Sequence, residues 1–169
     1  IDLLYGRQLS VAVLAEDSIA KSILSFSKTN LFEDPYVLAV PKSVSLENIK
    51  ILEDLKSSPV RKALSNIIQF EFGNQHKKRI EEWFTSVLPN SKVFAKTRTY
   101  EVALSMVQSG RGVAVIPALA ARLSGNLDFD VNLYRTNLPV RKIVSLIPSQ
   151  YIRVEPYKSF IQALSDSGK

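Results

Sequence analysis

The chain has no cysteine, one histidine, one methionine and one tryptophan in 169 residues. The missing cysteines exclude disulfides, thiolate catalysis and cysteine-ligated metals, and they fit a reducing, cytoplasmic setting. With His76 as the single histidine, no His-x-His or His-x-x-x-His pair exists to bind zinc. A Ser-His-Asp triad would have to pass through His76, and no Gly-x-Ser-x-Gly marks a nucleophile. Neither an enzyme nor a cofactor nor a metal is expected. No apolar run reaches the ~18 residues of a membrane span. The opening is not a signal peptide, because Asp2 breaks it and Arg7 follows a short apolar stretch. A start at Ile1 rather than methionine suggests a fragment.

What is present is ordinary globular composition, 46% hydrophobic and 22% charged. The length suffices for one domain or two small lobes. The net charge of +6 admits an anionic partner. Its basic residues are scattered, however, with clusters only at Arg61-Lys62, Lys77-Lys78-Arg79 and Arg141-Lys142. That pattern reads as solvated charge rather than a nucleic-acid face.

Short apolar runs read as strands: 9–15, 36–41, 67–70, 92–95, 112–117, 131–134 and 142–148. Residues 45–55 suggest a helix capped by Ser45, with Leu46, Ile49 and Leu52 on one face. A stronger helix carries Ile80, Trp83, Phe84, Val87 and Leu88 at helical spacing, with Asn74 as its cap. Another places Val102, Ala103, Met106 and Val107 on one face, capped by Thr99 and closed by Gly110. Residues 118–123 form a short helical piece. A last helix follows Pro156, with Tyr157, Phe160, Ile161 and Leu164. Strands alternating with helices predict an α/β fold with a largely parallel sheet.

The Gly-Arg-Gly of "SMVQSGRGVAVIP" invites a nucleotide reading. A dinucleotide site needs strand, then glycines, then helix. Here the order is helix, glycines, strand, and the third glycine is missing. Gly110 therefore reads as a helix terminus and Gly112 as a tight strand entry. The helix starts "FEFGNQHKK" and "AKTRTYE" are better candidates, since free N–H groups there attract anions. Lys77, Lys78 and Arg98 lie beside them and could add charge. "EDS" ends the first strand at the same kind of edge. Each start could equally be a plain capped helix. His76 reads more simply as an exposed first-turn residue than as a general base.

Several landmarks resemble the effector-binding domain of LysR-type transcriptional regulators. "QLSVAVLAED" looks like the family's strand after G-x-L-D. "LFEDPYVLAVPK" looks like its crossover strand, and "ENIKILEDL" like its v-x-L-x-D-L segment. "TYEVALSMVQSGRGVAVIP" is similar to its S-x-x-x-x-x-x-V-x-A-G-x-G-V-A-x-L-P. The loop "FEFGNQH" and the helix start "TRTYEVALSMV" are closest in pattern to the peroxide-sensing, OxyR-like members. Their reactive cysteine falls near Gln75, so peroxide sensing is not implied.

The resemblance implies a two-lobed, periplasmic-binding-protein-like (type 2) α/β effector domain of a bacterial regulator. Two crossover segments lie near Val40-Pro41 and Ile116-Pro117. One lobe is 1–41 with 117–169, lacking its opening strand-helix unit, and the other is 42–116. A small effector, polar or anionic, binds in the cleft between them. The effector-binding residues implied are Glu16 and Asp17; Phe72, Gly73, Asn74, Gln75 and His76; Arg98, Thr99 and Tyr100; Ile116 and Pro117. Homodimers or homotetramers form, with 75–88 an interface candidate unless its apolar face lies on its own sheet. DNA is reached only through a winged helix-turn-helix absent from this chain. The alternative is a solute-binding protein of a transport system on a related fold.

Overall fold

The computed structural model describes residues 2–19, 25–46, 64–71, 74–123 and 129–167, with the backbone alone at 74–76, 123 and 167. The chain forms two compact units, Ile1–Asp34 with Val140–Lys169 and Pro35–Pro139. Most of the helix expected over 45–55 falls outside the described residues.

The unit 35–139 is built on β3 (Tyr36–Pro41), every residue of which is buried. It pairs antiparallel with β6 (Ala114–Pro117) on one side and β7 (Val131–Arg135) on the other. β4 (Asn66–Phe70) pairs parallel with β5 (Lys92–Thr97). A parallel bridge between Ile67 and Val113 joins this pair to the rest. Its bonds run from the Ile68 amide to the Val113 carbonyl at 2.8 Å and from the Val113 amide to the Asn66 carbonyl at 2.9 Å. The strand order is therefore β5-β4-β6-β3-β7, with β3 running against the others. Gly112 makes this join possible. A Cβ there would lie 2.5 Å from the Asn66 carbonyl oxygen.

Strand alternation sends successive side chains to opposite faces. On one face Tyr36, Leu38, Val40, Ile67, Val113 and Val115 pack with α2 (Asn74–Val87). All five residues of the expected α2 stripe are buried there, so its apolar face lies on its own sheet. Trp83 also donates its indole N–H to Asn137 Oδ1 at 2.6 Å. On the other face Val37, Ala39, Ile68, Ala114 and Ile116 pack with α3 (Tyr100–Gln108). Leu104 rather than Val102 completes the buried stripe of α3, and Val102 is half exposed. A short helix, α4 (Ala118–Leu123), follows β6.

The end of α3 confirms the reading of Gly110. Its amide bonds the Val107 carbonyl, and the Arg111 amide bonds that of Met106. This paired closure needs a left-handed residue, and Gly110 supplies φ +70°.

The other unit opens with α1 (Asp2–Tyr5). Its sheet has the order β1-β8-β2, from β1 (Ala12–Ala15), β2 (Phe26–Asp34) and β8 (Arg141–Pro148), paired antiparallel throughout. The expected parallel arrangement thus does not hold here, because β8 is the centre and runs against both neighbours. β2 has no counterpart in the sequence reading, since polar residues interrupt its apolar ones. Val144, Leu146 and Ile147 on β8 are fully buried. A final helix, α5 (Tyr157–Ser167), packs against β2. Glu155 accepts hydrogen bonds at its start from the Ser159 hydroxyl at 2.6 Å and amide at 3.2 Å. The hydroxyl bond first, then the amide, holds the Glu155 carboxyl below its ordinary pKa.

The compact units divide at Asp34–Pro35 and Pro139–Val140. β3 is hydrogen-bonded to β6 and β7 at once, so 36–41, 114–117 and 131–135 lie within one unit. At both edges stands one ion pair. Asp34, 3% exposed, lies 3.5 Å from the Arg141 guanidinium, directly across the β2–β8 register.

Removing one partner of a buried pair strands the other charge. Asp34→Ala should lower stability by about 3 kcal/mol in urea denaturation. Adding Arg141→Met should recover part of that loss. For Glu155 the folded carboxyl is the stronger acid, so its contribution is present at neutral pH. It fades as pH falls through the ordinary glutamate pKa of about 4.3 and then the folded value. Glu155→Ala should therefore melt below the parent at pH 7, and the gap should close in acid.

Candidate functional site

β4 and β5 run parallel, so both deliver their carboxyl ends to one edge of the sheet. There each strand turns into a helix, β4 into α2 at Asn74 and β5 into α3 at Tyr100. In open α/β sheets this edge is where ligands collect. The two turns are tied together, because the Glu71 amide donates to the Thr97 carbonyl at 2.9 Å.

Thr97 organises the second turn. It is buried, and its hydroxyl lies 3.1 Å from the Thr99 carbonyl and 3.3 Å from the Thr99 amide. Thr99 takes an extended backbone, and its hydroxyl accepts the Val102 amide at 3.4 Å. The hydroxyl thus acts as an acceptor toward the helix and keeps one O–H to donate. Tyr100 stacks on Phe70 at 4.2 Å between ring centroids, with an interplanar angle of 11°. Arg98 Nε donates to Glu71 Oε2 at 3.1 Å in an exposed pair. Lys77 and Lys78 face Glu81 and Glu82 one helical turn on, each at 3.9 Å. The three cations expected to attract an anion are thus all partnered. Exposed pairs of this kind contribute only ~0–1 kcal/mol, so an incoming anion can displace them.

The structure brings Arg98, Thr99 and Tyr100 together beside the start of α2. Phe72 and Gly73 lie outside the described residues, and for Asn74, Gln75 and His76 only the backbone is described. Ile116 and Pro117 end β6 with buried side chains. Ile116 is fully buried against Ile68 and Leu104 and is part of the core. Glu16 and Asp17 belong to the other compact unit. They form a helical turn after β1, where Glu16 pairs with Lys28. Sequence reasoning missed Phe70, Glu71 and Thr97. Only the Thr-x-Thr spacing of 97–99 hinted at a hydroxyl network. Among the described residues no three His, Asp or Glu side chains gather as a metal would need. No helix among them is long and apolar enough to cross a membrane.

A model of the LysR substrate binding domain matches residues 1–169. The chain belongs to this family. Solved LysR-family domains share its fold. The reduced OxyR regulatory domain from Pseudomonas aeruginosa is 19% identical, with a TM-score of 0.66, over 98% of this chain and 75% of that one. The Synechocystis PCC6803 CcmR regulatory domain, in complex with 2-PG, is 12% identical, with a TM-score of 0.70, over 99% and 77%. The effector binding domain of QuiR, in complex with shikimate, is 14% identical, with a TM-score of 0.63, over 99% and 75%. No curated protein sequence matches the chain. The type 2 periplasmic-binding-protein-like fold expected from the sequence is that of these LysR domains, and the transport-protein alternative is not favoured.

The Thr99 cap is testable by itself. Thr99→Ala should lower stability by about 1 kcal/mol, and Thr99→Ser should recover most of it. Equal melting temperatures for all three proteins would show that the hydroxyl does not cap α3.

Proposed function

We propose that this LysR substrate-binding domain senses a small polar or anionic effector at the carboxyl edge of β4 and β5. The observation that carries the reading is the convergence of two helix starts at that edge, bridged by the Glu71–Thr97 hydrogen bond. Arg98 meets a negative group once Glu71 is displaced, and the Thr99 hydroxyl donates to it. The stacked Phe70 and Tyr100 form a flat wall beside them. The start of α2 brings Asn74, Gln75 and His76 to the same edge as candidates, with Phe72 and Gly73 before them. Glu16 and Asp17 remain candidates from their own unit.

The reading is binding without turnover, in keeping with the regulatory family. The chain acts as a homodimer or homotetramer in the cytoplasm. It reaches DNA through a separate winged helix-turn-helix. CcmR with 2-PG and QuiR with shikimate support a small polar molecule as the class of effector.

A thermal-shift panel of small polar metabolites, including shikimate and 2-PG, tests this. A true effector at a hundredfold excess over its Kd should stabilise the protein by about 2.7 kcal/mol. Arg98→Ala should weaken that effector, whereas Lys28→Ala should not. If hits respond equally to both variants, the site lies elsewhere.

A further inference from the structure

The unit containing β1, β2 and β8 carries an open surface pocket of about 290 Å³, separate in its residues from the edge just described. It lies between α1, the turn after it, the start of β2 and the end of β8. Its aromatic lining comes from Tyr5, Phe26 and Tyr151. Its polar lining includes Ser10, Gln150 and Arg7. Arg7 is the one charged residue among those lining it.

The lining rings make contacts of their own. Tyr5 and Phe26 meet edge to face at 4.9 Å between centroids. Tyr151 stacks on Tyr157 at 5.0 Å, and the Tyr157 hydroxyl reaches Ser10 Oγ at 3.4 Å. These contacts orient the rings so that apolar faces border the pocket.

Arg7 is a second, independent sign. The Arg7 amide bonds the Leu4 carbonyl and the Gln8 amide that of Leu3. This closure of α1 repeats that of α3, where glycine takes the left-handed position. Here Arg7 takes it, with φ +55°. A left-handed backbone disfavours a side chain by ~1 kcal/mol or more. A strained residue that brings charge to a pocket mouth is an inference toward binding. Among the described residues no acidic group pairs with Arg7 in an ion pair.

We propose that this pocket is a second ligand site, for a small aromatic carboxylate whose ring lies among Tyr5, Phe26 and Tyr151 and whose carboxylate meets Arg7. A single guanidinium over aromatic walls matches a single negative charge on a planar body. A ring with one short carboxylate arm fits the volume.

Phenylacetate is the probe, with phenylacetamide as its uncharged isostere and acetate as the anion without a ring. Binding is read on the intact chain from amide NMR shifts. Phenylacetate should shift Arg7, Phe26 and Tyr151, while the two controls bind at least about tenfold more weakly. Arg7→Gly removes the charge and suits the left-handed backbone. It should melt no lower than the parent yet bind phenylacetate about tenfold or more weakly. Thr99→Ala should leave phenylacetate binding unchanged, which separates this site from the β4–β5 edge. Shifts centred on Arg98 and Thr99, equal binding of phenylacetamide, or undiminished binding to Arg7→Gly would each overturn the proposal.

Discussion

Everything in the larger unit hangs on the two-sidedness of β3. Six consecutive buried residues leave no face for water. Their alternation feeds two separate cores, Tyr36, Leu38 and Val40 on one side and Val37 and Ala39 on the other. A strand of this kind must be covered by helices on both faces. α2 and α3 supply that cover, and in doing so they fix where their own N-termini stand. The edge where both helices start is thus a by-product of core packing. Its geometry is set by residues that never touch a ligand.

The link between β4 and β6 is the other constraint. It rests on a backbone contact that admits no side chain at residue 112, since the Asn66 carbonyl occupies that space. The glycine pair that looks like a nucleotide loop is therefore split between two jobs. Gly110 ends a helix and Gly112 lets a strand approach its neighbour. Neither faces a phosphate.

Much of the fold was legible because its signals are local. The α2 stripe, the Thr99 cap and the left-handed Gly110 each follow from a few adjacent residues. β2 was not legible, since Lys28, Asn30 and Glu33 break its apolar pattern and its partner β8 lies over a hundred residues away. Its register exists only through that pairing. The site was legible in part. Arg98, Thr99 and Tyr100 stand where the sequence places them. The buried hydroxyl of Thr97 and the carboxylate of Glu71 act through neighbours on another strand, which no single-strand pattern reveals. Ile116 lies in the core although it stands next to a turn in sequence.

The Glu71–Arg98 pair gives the edge an occupant of its own. Any external anion competes with a carboxylate that the fold already holds beside the cation. The displaced pair is exposed and weak, so the handicap is at most about fivefold in affinity. Such a tethered rival is a small handicap, which contacts to neighbouring groups would offset. Charge alone is thus a poor handle on Arg98, whose guanidinium already has its counter-ion.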